Sequence, residues 1–224
     1  MYEFKTLLWH FVTRLGEAQI LLPAMLAVSV WMWMRGSAPR LAAAWLGCTA
    51  LAVALTTATK VAFIGWGLGS AELNFTGISG HAMFAAAVLP PLLRITEGTL
   101  PKRWHGWPLA AGYLLAAVVA VSRVRTGAHS WSEAILGFLL GALASAAALQ
   151  LAHAPRLRVP LWVAPTLLVW ALATMLLAPP SRTHDWVTAL SVRLSGRHQP
   201  YTRWEMLREH RLERLRGSAA ARGA

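Results

Sequence analysis

Three short clusters in this chain of 224 residues combine residue types that can hold and transfer a phosphoryl group. They are Lys60, then Ser79-Gly80-His81, then Ser122-Arg123 followed by His129 and Glu133. A phosphate needs cations and hydrogen-bond donors around its non-bridging oxygens. Lys60 and Arg123 carry charge of the right sign. A helix opening at Ser79-Gly80 would offer unpaired N–H groups to an anion, and Gly80 permits close approach to the backbone. One histidine can attack phosphorus while a second protonates the leaving oxygen. Glu133 follows His129 by four residues, about one helical turn, so its carboxylate can fix the imidazole tautomer and support the imidazolium.

Each cluster also has a plainer structural reading. Lys60 can snorkel to lipid headgroups. The histidines can be interfacial side chains with satisfied hydrogen bonds. Ser130-Trp131-Ser132-Glu133 fits a capping box opening a helix. It is the combination that argues for chemistry: two cations, two histidines, an acid and a Ser-Gly helix start all fall at one end of a set of apolar segments.

Those segments dominate the chain. It is 56% hydrophobic and 13% charged, about half the charge of an ordinary soluble domain. Six apolar stretches lie near the length that spans a bilayer: Ala18–Met34, Leu41–Thr59, Gly77–Leu93, Trp107–Val121, Ala134–Ala152 and Val159–Ala178. The third holds Pro90-Pro91, which forfeit backbone donors and should kink or end the helix. Gly137 and Gly141 form a small-xxx-small pair that lets another helix approach closely. The expected fold is therefore all-α, a polytopic membrane bundle of about six transmembrane helices. Residues 1–16 read as an interfacial amphipathic helix, with Phe4, Leu7, Leu8, Phe11 and Leu15 at helical spacing. Residues 17–180 form the membrane domain. Residues 181–224 form a basic polar tail with a short amphipathic helix at Trp186, Val187, Leu190 and Leu194, and the last few residues read as disordered.

The net charge is +12, yet the basic residues are split between both ends of the spans, which argues against a nucleic-acid partner. Arg35 and Arg40, then Arg94, Lys102 and Arg103, then Arg156 and Arg158 fall in alternate loops and mark that face as cytoplasmic. Residues 60–80 and 122–133 and both termini then share the opposite face. The Arg-rich tail pulls the other way, and the three short loops outvote it. Arg outnumbers Lys by 18 to 3 and Ala and Leu abound, as in a GC-rich bacterial genome. A lone cysteine, Cys48, allows no disulfide within the chain. There is neither a carboxylate cage for Mg²⁺ nor a Cys/His cluster for Zn²⁺, so no metal or other cofactor is expected.

The clusters resemble the three-part signature of the type 2 phosphatidic acid phosphatase superfamily, which includes the vanadium haloperoxidases. Ile78-Ser79-Gly80-His81 is similar to its second motif, Pro-Ser-Gly-His. Ser122-Arg123, five residues, His129, three residues, Glu133 is similar to its third, which ends in Asp. Its first, Lys, six residues, Arg-Pro, is matched by Lys60 alone, because Gly67-Leu68 occupies the Arg-Pro positions. The resemblance runs from Lys60 to about Leu151. It implies that His129 is the nucleophile of a phospho-histidine intermediate, that His81 is the general acid, and that Glu133 orients His129. It also implies that Lys60, Ser79, Gly80 and Arg123 bind phosphate. Arg125, two residues after Arg123, is the candidate to substitute for the missing arginine.

The expected activity is that of a metal-independent phosphatase at the periplasmic face of a bacterial inner membrane. Its site opens beside the bilayer, so its substrate is a lipid phosphate or diphosphate such as phosphatidic acid, phosphatidylglycerol phosphate, undecaprenyl diphosphate or a lipid A phosphate. The alternatives are a phosphotransferase to a lipid or sugar acceptor, and a catalytically idle protein that binds anionic lipid. Substrate identity and oligomeric state are not legible in the sequence.

Overall fold

The computed structural model describes residues 2–153, 157, 160, 163–179 and 181–223, with side chains described for residues 7–218 of these except Ala164. Arg156 and Arg158, the basic pair after the fifth apolar stretch, lie outside the described residues, as do Val159 at the start of the sixth and the side chain of Phe4.

The described residues are helical throughout, apart from turns and one isolated bridge between Ser70 and Phe75. In chain order the helices are α1 (Tyr2–Arg14), α2 (Ala18–Met34), α3 (Pro39–Trp66), α4 (Gly80–Ile95), α5 (Trp107–Arg125), α6 (Trp131–Leu151), α7 (Val163–Leu177), α8 (Thr183–Ser195) and α9 (Arg203–Gly223). Among the described residues, four segments are long and apolar enough to cross a membrane: Leu7–Met34, Pro39–Trp66, Lys102–Arg125 and Trp131–Leu151. The chain is thus a polytopic, all-helical membrane protein. The expected third and sixth spans are the shorter helices α4 and α7, of 16 and 15 residues. At 1.5 Å per residue each covers only about 24 Å, so the length criterion does not extend the count to six.

The chain divides into two compact units. The first comprises residues 1–56 and 79–181. Its central element is α4, whose Ala82, Ala85, Ala86, Ala87 and Val88 have no exposed surface. Small residues let backbones close in, and the neighbours of α4 return the favour. A Cβ on Gly112 of α5 would lie 2.5 Å from Pro90 Cα, and one on Gly141 of α6 would lie 2.2 Å from the Met83 carbonyl. Large apolar side chains point outward instead, among them Leu51 on α3, Leu114 on α5 and Leu139 and Leu143 on α6. Such a surface suits lipid and not water.

Pro90-Pro91 do not end α4, which continues to Ile95. Pro91 cannot donate to the carbonyl of Ala87, four residues back. The buried indole of Trp45 on α3 does so, with Nε1 2.8 Å from that oxygen. One tryptophan thereby satisfies a carbonyl that the prolines would otherwise strand in an apolar core.

The second unit comprises residues 57–78 and 182–224. The final turns of α3, the loop that follows, α8 and α9 pack around Phe63, Ile64 and Met206. The tail is thus folded with residues 57–78. The expected amphipathic helix appears as α8. The backbone of α9 remains helical to Gly223, where the sequence suggested disorder. Thr202 and Glu205 cap its start reciprocally, with Thr202 N–H and Oγ1 both 2.7 Å from Glu205 Oε2. These bonds hold the Glu205 carboxyl below its usual range.

Candidate active site

The Ser-Arg-x5-His spacing works through a loop that turns back on its own helix. Helix α5 ends at Arg125, and Thr126 Oγ1 donates to the carbonyl of Ser122 at 2.9 Å. Gly127 then takes a left-handed φ of +71°, a conformation that favours glycine. The turn brings the N–H groups of Ala128 and His129 onto one acceptor, the carbonyl of Arg123, each at 3.1 Å. His129 is therefore fixed against the residue six positions earlier.

Helix α6 starts immediately afterwards. Ser130 is its N-cap, and Ser130 and Glu133 form a reciprocal capping box. Glu133 is fully buried. Its Oε2 accepts the Ser130 N–H at 3.1 Å and lies 2.7 Å from His129 Nδ1. One carboxylate thus both caps the helix and meets the imidazole. Nδ1 faces Glu133, so Nε2 is the ring nitrogen turned away from the carboxylate.

The second motif is tied to the third through backbone. Ser79 N–H donates to the carbonyl of Glu133 at 3.1 Å. Gly137, one turn further along α6, makes this possible, since a Cβ there would lie 2.5 Å from the Ser79 carbonyl. Helix α4 begins at Gly80 with Ser79 as its N-cap residue, and no side-chain capping bond forms. The first-turn N–H groups, those of Gly80, His81 and Ala82, have no intrahelical acceptors by helix geometry. Ser79 Oγ is buried without a hydrogen-bond partner, and so is Arg123 Nε. Buried donors in that condition call for a partner.

Arg123 also reveals residues that sequence reasoning passed over. Its Nη1 donates to Thr13 Oγ1 at 2.9 Å. Thr13 and Glu17 are buried at the junction of α1 and α2. Arg14 Nε bonds Glu17 Oε1 at 3.2 Å, and Arg14 Nη2 donates to the Ala178 carbonyl at 2.6 Å, capping the end of α7. Gly16 sits under α4, where a Cβ would lie 2.9 Å from the His81 carbonyl. The signal was available in principle: a buried acid beside a glycine, at the break between an amphipathic segment and an apolar run.

Unit one thus gathers Ser79, Gly80, His81, Arg123, His129 and Glu133. Arg125 is not brought beside Arg123. It is exposed, and two residues along a helix turn it about 200° around the axis. Lys60 belongs to the second unit. It lies within α3, which continues beyond it to Trp66. Gly77 packs on it there, so that a Cβ at Gly77 would be 2.9 Å from Lys60 Cγ. Among the described residues no group of three or more His, Cys, Asp or Glu comes together in a metal-holding arrangement.

Comparison with known proteins places the same segment. A family model described as the PAP2 superfamily matches residues 65–157. A protein of Klebsiella pneumoniae, described as an uncharacterized 22.5 kDa protein in cps region, is 38% identical over 138 residues. That alignment covers 62% of this chain and 66% of the relative, just under two thirds of its length. No solved structure matches.

Proposed function

We propose, from the match of the PAP2 superfamily model to residues 65–157, that the protein hydrolyses a lipid phosphate monoester or diphosphate through phospho-His129. The observation that carries the reading is the ordered set at the junction of α4, α5 and α6. Glu133 holds His129 Nδ1 at 2.7 Å, Arg123 holds the His129 backbone, and Glu133 holds the Ser79 backbone.

In the proposed cycle the phosphate rests on Arg123, on Ser79 Oγ and on the first-turn N–H groups of α4, a combination of cation and helix terminus suited to an anion. Lys60 joins this set by its motif position. His129 Nε2 attacks phosphorus, forming the N–P bond as the bond to the leaving oxygen breaks. His81 gives its proton to that oxygen. The leaving group is a lipid alcohol from a monoester, or a lipid monophosphate from a diphosphate. Glu133 stabilises the charge that develops on the imidazole. Water then attacks phosphorus, His81 takes its proton, and the N–P bond breaks to release inorganic phosphate and restore His129.

The site is assigned to the periplasmic face of a bacterial inner membrane, since Arg35, Arg40, Arg94, Lys102 and Arg103 mark the other face as cytoplasmic. The test is phosphate release from a panel of lipid phosphates and diphosphates by the purified protein in detergent with EDTA. Turnover that needs His129 supports the reading. The Gly67-Leu68 departure favours a second reading, an idle protein that binds anionic lipid. Lipid binding with no phosphate release across the panel would establish it instead.

A further inference from the structure

The corner between α1 and α2 is tied to α7 by residues that take no part in the three motifs. Arg14 donates from Nη2 to the Ala178 carbonyl at 2.6 Å and from Nη1 to the Met175 carbonyl. Gln19 Nε2 donates to the Pro179 carbonyl at 2.8 Å and to Glu17 Oε2. Buried Glu17 closes the set by accepting Arg14 Nε at 3.2 Å. Carbonyls at the end of a helix lack intrahelical donors, so the end of α7 offers the corner ready acceptors. The register of the corner is therefore fixed without help from Arg123.

Thr13 and Gly16 are the residues that this corner sets against the site. A Cβ on Gly16 would lie 2.7 Å from Val119 Cγ1, 2.9 Å from the His81 carbonyl and 3.0 Å from His81 Cβ. The corner thus presses on the first turn of α4. It also presses on the face of α5 that carries Val119 and, one helical turn later, Arg123. Thr13 is 8% exposed, and its Oγ1 accepts Arg123 Nη1 at 2.9 Å. A long arginine side chain has many rotamers to lose, but its guanidinium is planar, so a bond at Nη1 restricts the direction of the whole fork. The Arg123 carbonyl meanwhile accepts the N–H groups of Ala128 and His129. The backbone of Arg123 is tied to the His129 loop, and its fork is tied to the α1–α2 corner.

We propose that Thr13 is a positioning residue, which holds the guanidinium of Arg123 in the orientation that binds the substrate phosphate. The proposal rests on the phosphatase reading for the identity of the ligand, and a binding measurement that needs no turnover separates the two. The full chain in detergent is titrated with inorganic phosphate, with thermal unfolding as the readout. The variants are Thr13→Val, Thr13→Ser, Arg123→Lys and the double variant Thr13→Val with Arg123→Lys. Val keeps the shape of Thr and removes the acceptor, whereas Ser keeps the acceptor. Lys ends short of the Nη1 position, so it makes no use of Thr13. Phosphate should protect the wild type saturably, with its midpoint raised about tenfold in Thr13→Val, the scale of one hydrogen bond to a charged group. Thr13→Ser should stay within about twofold of wild type, and Thr13→Val should add less than about twofold to Arg123→Lys, because it has no fork left to hold. An unchanged midpoint in Thr13→Val, or an equal rise in both backgrounds, makes Thr13 a packing residue and overturns the proposal, even if the wild type is an active phosphatase. So does a Thr13→Ser midpoint as high as that of Thr13→Val. Should Thr13→Val fail to fold, Thr13→Ala, which needs less room, is judged by the same criteria. Should Arg123→Lys lose phosphate altogether, the contrast between Thr13→Val and Thr13→Ser decides. A wild type that phosphate does not protect overturns the proposal, and turnover measured on the same sample then tells whether the phosphatase reading falls with it.

Discussion

Oε2 of Glu133 lies 2.7 Å from Nδ1 of His129 while accepting the N–H of Ser130, so a single buried oxygen serves an imidazole and a helix start. The two duties can be separated by substitution. Glu133→Gln retains an amide oxygen for the Ser130 N–H and loses the charge behind the imidazolium. It should lower kcat by about 10²-fold or more with little change in melting temperature. Ser130→Ala removes the hydroxyl that caps the Glu133 N–H and should cost about 1 kcal/mol of stability while leaving kcat within a few-fold. His129→Ala should abolish phosphate release with folding intact. Near wild-type release by His129→Ala would remove it as nucleophile, and a large loss of helicity in Glu133→Gln would make the cap its principal duty.

A second expectation concerns the contact that sets α6 against α4. Gly137→Ala places a methyl 2.5 Å from the carbonyl of Ser79, against backbone that cannot rotate away. The helices must separate, at about 1–3 kcal/mol, and Ser79 moves with them. Both the melting temperature and the turnover of Gly137→Ala should fall. Gly47→Ala is the control, since a Cβ there meets nothing within 4 Å. Equal behaviour of the two variants would show that the close approach at Gly137 does not position Ser79.

The proposed chemistry uses only side chains and backbone N–H groups of the chain itself, so turnover should be unchanged by EDTA. Orthovanadate should inhibit it, because vanadate adopts the five-coordinate shape of phosphoryl transfer and such mimics bind tightly. Activity that disappears with chelation and returns with Mg²⁺ would require a different mechanism.

The legible and illegible parts of this protein divide along physical lines. Helices α2, α5 and α6 follow from long apolar runs, because a lipid-facing helix must be apolar along its length and hydropathy measures that directly. Local spacing also exposed the pairing of His129 with Glu133, since four residues make a turn. Arg123 was harder. Its partner Thr13 lies 110 positions away, and the segment bearing Thr13 was read from its apolar stripe. Leu7, Leu8 and Phe11 on that stripe are indeed exposed, at 68%, 49% and 41%, but the opposite side carries the contact. The tail was read as polar because it is polar on average. It docks through Tyr201, Arg203 and Met206, too few residues to alter an average. The helix end that Pro90-Pro91 could have imposed left out a donor from another helix, and nothing near those prolines in sequence announces Trp45.

Topology decides whether the motifs share a face, and the structure dictates where to probe it. The chain leaves α3 at Trp66 and re-enters at Gly80, so residues 67–79 lie on one side. If α4 and α5 each cross, residues 126–130 return to that side and the loop between them, residues 96–106, is on the other. Arg94, Lys102 and Arg103 should hold that intervening loop in the cytoplasm. Glycines make poor reporters here. A Cβ at Gly69 would lie 2.6 Å from the Phe75 carbonyl, and Gly127 has a positive φ. The exposed neighbours Glu72, Ala128 and Thr99 avoid both problems. In a variant with Cys48→Ala, cysteines at 72 and 128 should react with a membrane-impermeant thiol reagent from the periplasm, and one at 99 should react only after the membrane is opened. Reaction at 99 alone would invert the orientation and put the site in the cytoplasm. Reaction at only one of 72 and 128, with both shown reactive in detergent, would place Lys60 and His129 across the bilayer from one another, and the hydrolase reading would fall.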